Sequence, residues 1–377
     1  TSAQAAGIVP LAGQITGTGD ALALDPAQNN SYRLINRALA DGATLRFAPP
    51  SSATGGGGGL TARWLVSGAD SAKLDRWATE LSVRAQRIRA SESVGAVAAA
   101  TRIALYKGAP GNIDEGWTEW LFDTHDFKYT LISPVDLRGG NLGARFDVIV
   151  FASQGLTGGG RGGRGGPGGA AAGEGGGRGE GRGAAAADSI RLDDSVRVRA
   201  VDDFVRTGGT VVFWNQGTAS AISGLHLPVR NVVGGLTRKD YFTGGSIMQV
   251  IVDPRHPVMA GMPLRADVVV SNSPVFTTLD GFDGAVLAKY PSDSTLLRSG
   301  FLHGAPHMQG YAAAIDVKHE RGHVLLIAFQ PQWRGQPTGT FRVVFNSAFF
   351  GRELADQAKG APGFWTPPSP PASTGGR

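Results

Sequence analysis

His319-Glu320-Arg321-Gly322-His323 is the string with the most overt chemistry in this chain. An H-E-x-x-H sequence holds zinc when it lies on a helix, where positions i and i+4 put both imidazoles on one face. Here it falls between two β-type runs, and Gly322 suits a turn better than a helix. Glu320 to Gly322 are expected to form a hairpin tip, and no metal is expected. His303 and His307 add two nearby imidazoles that could form only a loose surface site.

A quieter pair of stretches carries more. The strand-like Thr210–Trp214 runs into Asn215-Gln216-Gly217 and then a helix-like Thr218 to Ile222. A sharp strand-to-helix turn lifts one side chain to the top of a parallel sheet, as a nucleophile elbow does. Much later, the apolar run Leu325–Phe329 ends in Gln330-Pro331-Gln332. In a doubly wound sheet both strand ends meet at the carboxyl edge, where ligands bind. Asn215, Gln330 and Gln332 donate and accept hydrogen bonds, yet a carboxamide is neither a nucleophile nor a base near neutral pH. With Glu115 and Arg334 they make a candidate ligand-binding edge and no catalytic set. The rival reading is a hydrolase using Thr218 or Ser220 near the elbow, although no histidine is placed by sequence to activate either.

Composition narrows the classes further. The 377 residues contain no cysteine, which excludes disulfides, thiolate metal sites and cysteine nucleophiles. Thirty-six basic against 31 acidic residues give a net charge of +5, too small and scattered to imply nucleic acid. The 57 glycines concentrate partly in a Gly/Arg tract within the insertion 155–187. Arg161, Arg164, Arg178 and Arg182 give this tract an RNA-binding look, but Glu174 and Glu180 offset half the charge and no aromatic is interleaved. It reads as a flexible loop dispensable to folding. No apolar run approaches the length of a membrane span. The first methionine is Met248, so the chain reads as a processed or truncated piece of a longer polypeptide.

The positioning elements follow from periodicity. Residues 1–92 read as a small α/β unit. It has short strands within Gln14–Leu24, a helix capped by Asn30, and strands over Ala43–Ala48 and Leu60–Ser67. A second helix is capped by Asp70 or Ser71 and carries Leu74, Trp77, Leu81 and Ile88. Residues 93–100 read as a linker. From 101 to 358, short apolar strands alternate with helices. One helix spans Asp114 to His125 with Ile113, Trp117, Trp120 and Leu121 on its apolar face; another spans Asp193 to Thr207. From Ser246 extended segments take over until a helix at Phe341 to Leu354. The expected fold is α/β: a mostly parallel sheet with an antiparallel extension. Residues 359–377 read as a Pro/Gly tail that need not fold.

The order of elements from Thr101 to Leu354 resembles the class I glutamine amidotransferase-like, flavodoxin-like fold. Active members carry G-x-C-x-G at the elbow and F-H-P-E at the later strand end. Here Phe213-Trp214-Asn215-Gln216-Gly217 and Phe329-Gln330-Pro331-Gln332 stand in those places, so that Asn215, Gln330 and Gln332 replace the Cys, His and Glu. A second resemblance covers nearly the whole chain. It rests on Asp114-Glu115-Gly116-Trp117-Thr118 with Trp120, Arg145 to Val150, and Leu227-Pro228-Val229-Arg230-Asn231. Asn272-Ser273-Pro274, Pro331 to Gln336 and Phe341 to Asn346 complete it. Together these are similar to the region downstream of the catalytic domain in large secreted bacterial zinc carboxypeptidases of the carboxypeptidase A type. The resemblance implies a secreted or periplasmic location. It also implies zinc in an upstream catalytic domain absent here, and that domain, a peptide or a glycan as partner. No H-x-x-E zinc motif occurs in this chain.

Overall fold

A computed structural model describes residues 11–50, 62–89, 95–157 and 183–369, with the backbone alone for 183–193. The arginines of the Gly/Arg tract and residues 370–377 lie outside the described residues, as do the expectations for them.

The N-terminal unit comprises β1 (Gln14–Gly17), β2 (Ala21–Leu24), α1 (Asn29–Ala40), β3 (Thr44–Ala48), β4 (Arg63–Ser67), α2 (Ser71–Glu80), β5 (Arg84–Ile88) and β6 (Ala96–Ala98). Its sheet runs β1-β5-β2-β4-β3-β6. Asp70 caps α2 by accepting the Lys73 amide. Three expectations are corrected. Gln28, not Asn30, occupies the cap position of α1, and Asn30 donates to the Leu81 carbonyl instead. α2 stops at Glu80 because Ser82 turns left-handed (φ +54°), so Ile88 belongs to β5. Within the predicted linker, Ala96–Ala98 is an edge strand hydrogen-bonded to β3.

The second unit begins with β7 (Ile103–Tyr106), α3 (Ile113–Thr124), β8 (Tyr129–Ile132), α4 (Pro134–Arg138), α5 (Leu142–Arg145), β9 (Val148–Phe151), α6 (Gly183–Arg206), β10 (Thr210–Trp214) and α7 (Gly217–Gly224). Small strands β11 (Val229–Asn231) and β12 (Phe242–Thr243) follow, then β13 (Ser246–Val252), β14 (Arg265–Val270), β15 (Phe276–Thr278), β16 (Gly284–Lys289), β17 (Leu297–Ser299) and β18 (Leu302–His303). β19 (Ala312–His319), β20 (Gly322–Ile327), α8 (Phe341–Ala348) and α9 (Arg352–Ala355) close it. The main sheet is ordered β14-β13-β16-β19-β20-β10-β9-β7-β8. β8, β7, β9, β10 and β20 are parallel to one another, while β19, β16, β13 and β14 continue antiparallel. Taken in chain order, the parallel strands read 2-1-3-4-5, the flavodoxin-like order of the expected fold. β7, β9, β10 and β20 are buried along their whole length, which is why they carry no polar alternation.

The C-terminal helix breaks into α8 and α9, since Gly351 opens a new helix start. The start of the predicted tail docks: Lys289 Nζ donates to the Phe364 carbonyl at 2.6 Å and Trp365 Nε1 to the Gly310 carbonyl at 2.8 Å. One apolar cluster runs from Tyr32 and Trp64 of the first unit through Phe127, Phe345 and Phe349 of the second, so the units share a core.

The β19–β20 hairpin turns at Glu320 and Arg321, with His319 opposite Gly322. A Cβ on Gly322 would stand 2.2 Å from the Val205 carbonyl oxygen and 2.3 Å from that of Gly209. Both are backbone atoms that cannot swing aside. Gly322→Ala is therefore expected to lower the urea midpoint by an equivalent of about 1–3 kcal/mol, the usual cost of overpacking. An unchanged midpoint would show that α6 can shift.

Candidate functional site

The carboxyl ends of β7, β9, β10 and β20 gather one group of polar side chains. Asn215 follows β10 at φ +50° and opens the turn into α7, as an elbow residue does. Its amide donates to the Ile327 carbonyl of the adjacent strand at 2.8 Å. Its side-chain oxygen accepts from Ser273 Oγ at 3.0 Å. Gln330 and Gln332 leave the end of β20 and reach α3: Gln330 Nε2 donates to Asp114 Oδ2 at 3.2 Å, and Gln332 Nε2 to the Asp114 carbonyl at 3.0 Å. No hydrogen bond joins Asn215 to Gln330. The three carboxamides share one edge but bind two different partners.

α3 presents a face rotated from the predicted one. Asp114, Glu115, Thr118, Leu121 and Phe122 are buried, while Ile113 and Trp120 are exposed. The cause is local. Asn112 caps the helix by accepting the Glu115 amide at 2.7 Å and donates to the Ala152 carbonyl, which fixes α3 over β9. Its first-turn carboxylates then find donors at the strand ends. Lys107 Nζ lies 3.1 Å from Glu115 Oε1 and 2.9 Å from Glu119 Oε1. Burial raises the Glu115 carboxyl above its ordinary range, aided by a hydrogen bond with Glu119 and opposed by Lys107. That same bond from Glu115 lowers Glu119.

No hydrogen bond joins Arg334 to the carboxamides. Its guanidinium lies over the Trp333 ring, 5.0 Å from the centroid, and its backbone is left-handed (φ +51°). Sequence reasoning missed Lys107, Asp114, Ser153, Gln154 and Ser273. Ser153 and Gln154 follow β9 after the single residue Ala152, so the rule that ligands meet the carboxyl ends of strands beside the crossing point of strand order would have found them. Ser153, Asn215, Asn272 and Arg334 are all left-handed residues other than glycine at this edge. Such backbone is costly and clusters at functional sites.

The alternative nucleophiles are engaged elsewhere. Thr218 Oγ1 donates to the Asn215 carbonyl at 2.8 Å; Ser220 Oγ donates to Gly217 O and accepts the Leu156 amide. Neither is hydrogen-bonded to a histidine among the described residues. His319 and His323 sit on opposite faces of the hairpin. His319 Nε2 meets Asp202 of α6 at 2.7 Å, and His323 Nδ1 meets Asp316 at 2.9 Å. Among the described residues no three His, Asp or Glu side chains are grouped to hold a metal ion, and no helix is long and apolar enough to cross a membrane.

Comparison with protein-family models and with curated proteins gave no match. Several solved structures are similar in outline. A cytoplasmic protein from Salmonella typhimurium is 11% identical, with 66% of this chain and 99% of that one covered and a TM-score of 0.38. A GMP synthase component from Thermoplasma acidophilum is 11% identical, with coverages of 68% and 96% and a TM-score of 0.39. A ThuA-like protein from Bacteroides uniformis is 12% identical, with 68% and 92% covered and a TM-score of 0.36. The fold assignment stands on the strand order described above.

Proposed function

We propose that this chain is a non-catalytic binding region whose ligand, a peptide or a glycan, sits at the carboxyl edge of the parallel sheet. The observation that carries this reading is the occupant of the elbow. Asn215 holds the strand-to-helix position with its carboxamide bonded to Ser273, and the neighbouring strand end offers two more carboxamides in place of an acid or base. Such groups orient a ligand without taking its proton. The resemblance to the downstream region of secreted zinc carboxypeptidases favours an accessory role beside an upstream catalytic domain. Zinc would belong to that domain, and the location would be outside the cytoplasm.

Two measurements test the proposal. The chain is expected to turn over no glutamine, amide or ester substrate. Turnover abolished by Thr218→Ala or Ser220→Ala would overturn it. Thermal-shift titration is expected to show stabilisation by at least one of three probes: peptides with free C-termini, oligosaccharides, or the separately produced catalytic domain. Silence from all three would also overturn it.

A further inference from the structure

We infer that the carboxyl edge is built for a neutral oligosaccharide; the inference rests on the binding function proposed above and names its ligand class. The buried polar atoms at this edge decide the matter. Gln330 Oε1, Gln332 Oε1, Gln154 Nε2 and Ser153 Oγ meet no hydrogen-bond partner within the protein. Gln330 is 8% and Gln332 1% exposed. Their orientation is fixed, because each Nε2 is held by an acceptor of Asp114 and Gln154 Oε1 accepts the Gly108 amide at 2.8 Å. Two acceptors beyond β20, and a donor and a hydroxyl beyond β9, are thus left unpaired, each covered by neighbouring protein atoms, so that a ligand meets them by displacing what lies over them. Those strands are separated by β10 alone, so the two sets stand roughly 10 Å apart, about the span of two linked pyranose rings. Sugar hydroxyls both donate and accept, and so suit both sets.

The charges argue against an anionic ligand. Lys107 is already shared by Glu115 and Glu119, and Asp114 adds a third carboxyl group. A peptide carboxylate would face the acceptors Gln330 Oε1 and Gln332 Oε1 with nothing to donate to them, and only Arg334 would favour it. Beside the carboxamides stand three indoles. Trp117 and Trp120 meet edge to face at 5.6 Å, and Trp120 is 44% exposed. A Cβ on Gly335 would come within 3.0 and 3.1 Å of these two rings, so the loop carrying Trp333 is seated against them. An exposed indole next to buried, unpaired carboxamides matches a pyranose, which has an apolar C–H face and a hydroxyl rim.

The test uses the whole chain. Calorimetric titration and intrinsic tryptophan fluorescence would follow short cello-, xylo-, manno- and chito-oligosaccharides, with free-C-terminus peptides alongside. At least one saccharide series is expected to bind. Trp120→Ala and Gln330→Ala should each weaken it by about tenfold or more, each good polar or stacking contact being of that order. Trp120→Phe should restore most of the loss, with unchanged circular dichroism as the control for folding. Peptide binding with no saccharide binding would overturn this inference and leave the binding function standing. Saccharide binding indifferent to both alanine variants would place the site elsewhere and overturn it too. No binding of either class would sink the inference, and silence from the catalytic domain as well would sink the parent proposal.

Discussion

Asp316→Ala is expected to destabilise the protein by about 3–5 kcal/mol, the cost of removing one member of a buried ion pair. Asp316 lies in β19 and its carboxylate meets two imidazoles, His323 Nδ1 at 2.9 Å and His256 Nε2 at 3.3 Å. The Val258 amide donates to His256 Nδ1, which leaves the proton of that ring on Nε2, toward Asp316. Burial alone would raise the Asp316 carboxyl. The charge on His323 and hydrogen bonds from both rings outweigh burial and bring it down to about 2. Burial alone would lower His323, but the Asp316 carboxylate outweighs it and raises the imidazole; Asp356 adds to this and Lys318 opposes it. The two contributions have opposite pH limits. That of Asp316 is present above its unfolded value of ~3.9 and is lost as pH falls toward about 2. That of His323 is complete below ~6.5 and is lost as pH rises through the raised value. Urea titrations should thus show the largest penalty for Asp316→Ala near pH ~5, shrinking above neutrality. A penalty that stays flat from weakly acid to alkaline pH would mean that His323 carries no charge in the fold.

Asn346→Ala should be nearly as damaging, for a different reason. Asn346 is wholly buried in α8, and its side-chain oxygen accepts from Tyr32 Oη at 2.6 Å and Trp64 Nε1 at 3.2 Å. Its Nδ2 donates to the carbonyls of Val258 and Ala260. One amide thus ties α1 and β4 of the first unit to α8 and the turn before Gly261 in the second. Removing it strands the buried Trp64 donor and takes a donor from two buried carbonyls, while Tyr32 Oη keeps only the Pro26 carbonyl at 3.3 Å. Each stranded buried group costs about 1–3 kcal/mol, so a loss of about 3 kcal/mol or more is expected. Equilibrium unfolding by tryptophan fluorescence measures it, and a double-mutant cycle with Tyr32→Phe isolates the shared bond. A loss below about 1 kcal/mol would show that the apolar core alone joins the units.

The parallel strands were legible because strands buried on both faces lose their polar alternation. Val148–Phe151 and Thr210–Trp214 announce themselves as short apolar runs, and Asn215 between strand and helix could be placed at an elbow. What failed was the inference from side-chain type to burial. Ile113 and Trp120 look like the inner face of α3, yet they point outward, and Asp114 and Glu115 point in because Gln330, Gln332 and Lys107 meet them there. Those partners come from other strand ends, and no local period records such a meeting. The same holds for Ala96–Ala98, three small residues that look like linker until β3 pairs with them. Asn346 and Asp316 were equally silent. Their roles depend on Tyr32, Trp64, His256 and His323, which lie far away in sequence.

The placement of β20 has a kinetic consequence. β10 finds its outer neighbour only when Thr210 pairs with His323, after everything from Gly217 to Arg321 has been laid down. Until then β10, buried along its whole length in the finished fold, has one side unpaired, and pairing of such high contact order is slow. A chain emerging from the ribosome would hold a sticky, half-finished sheet through that interval, the condition in which strands recruit the wrong partner. β19, hairpinned to β20 by a two-residue turn, delivers it pre-folded and shortens the search to a single docking event. Solubility during synthesis should accordingly depend more on how readily that hairpin forms than on how stable the finished protein is.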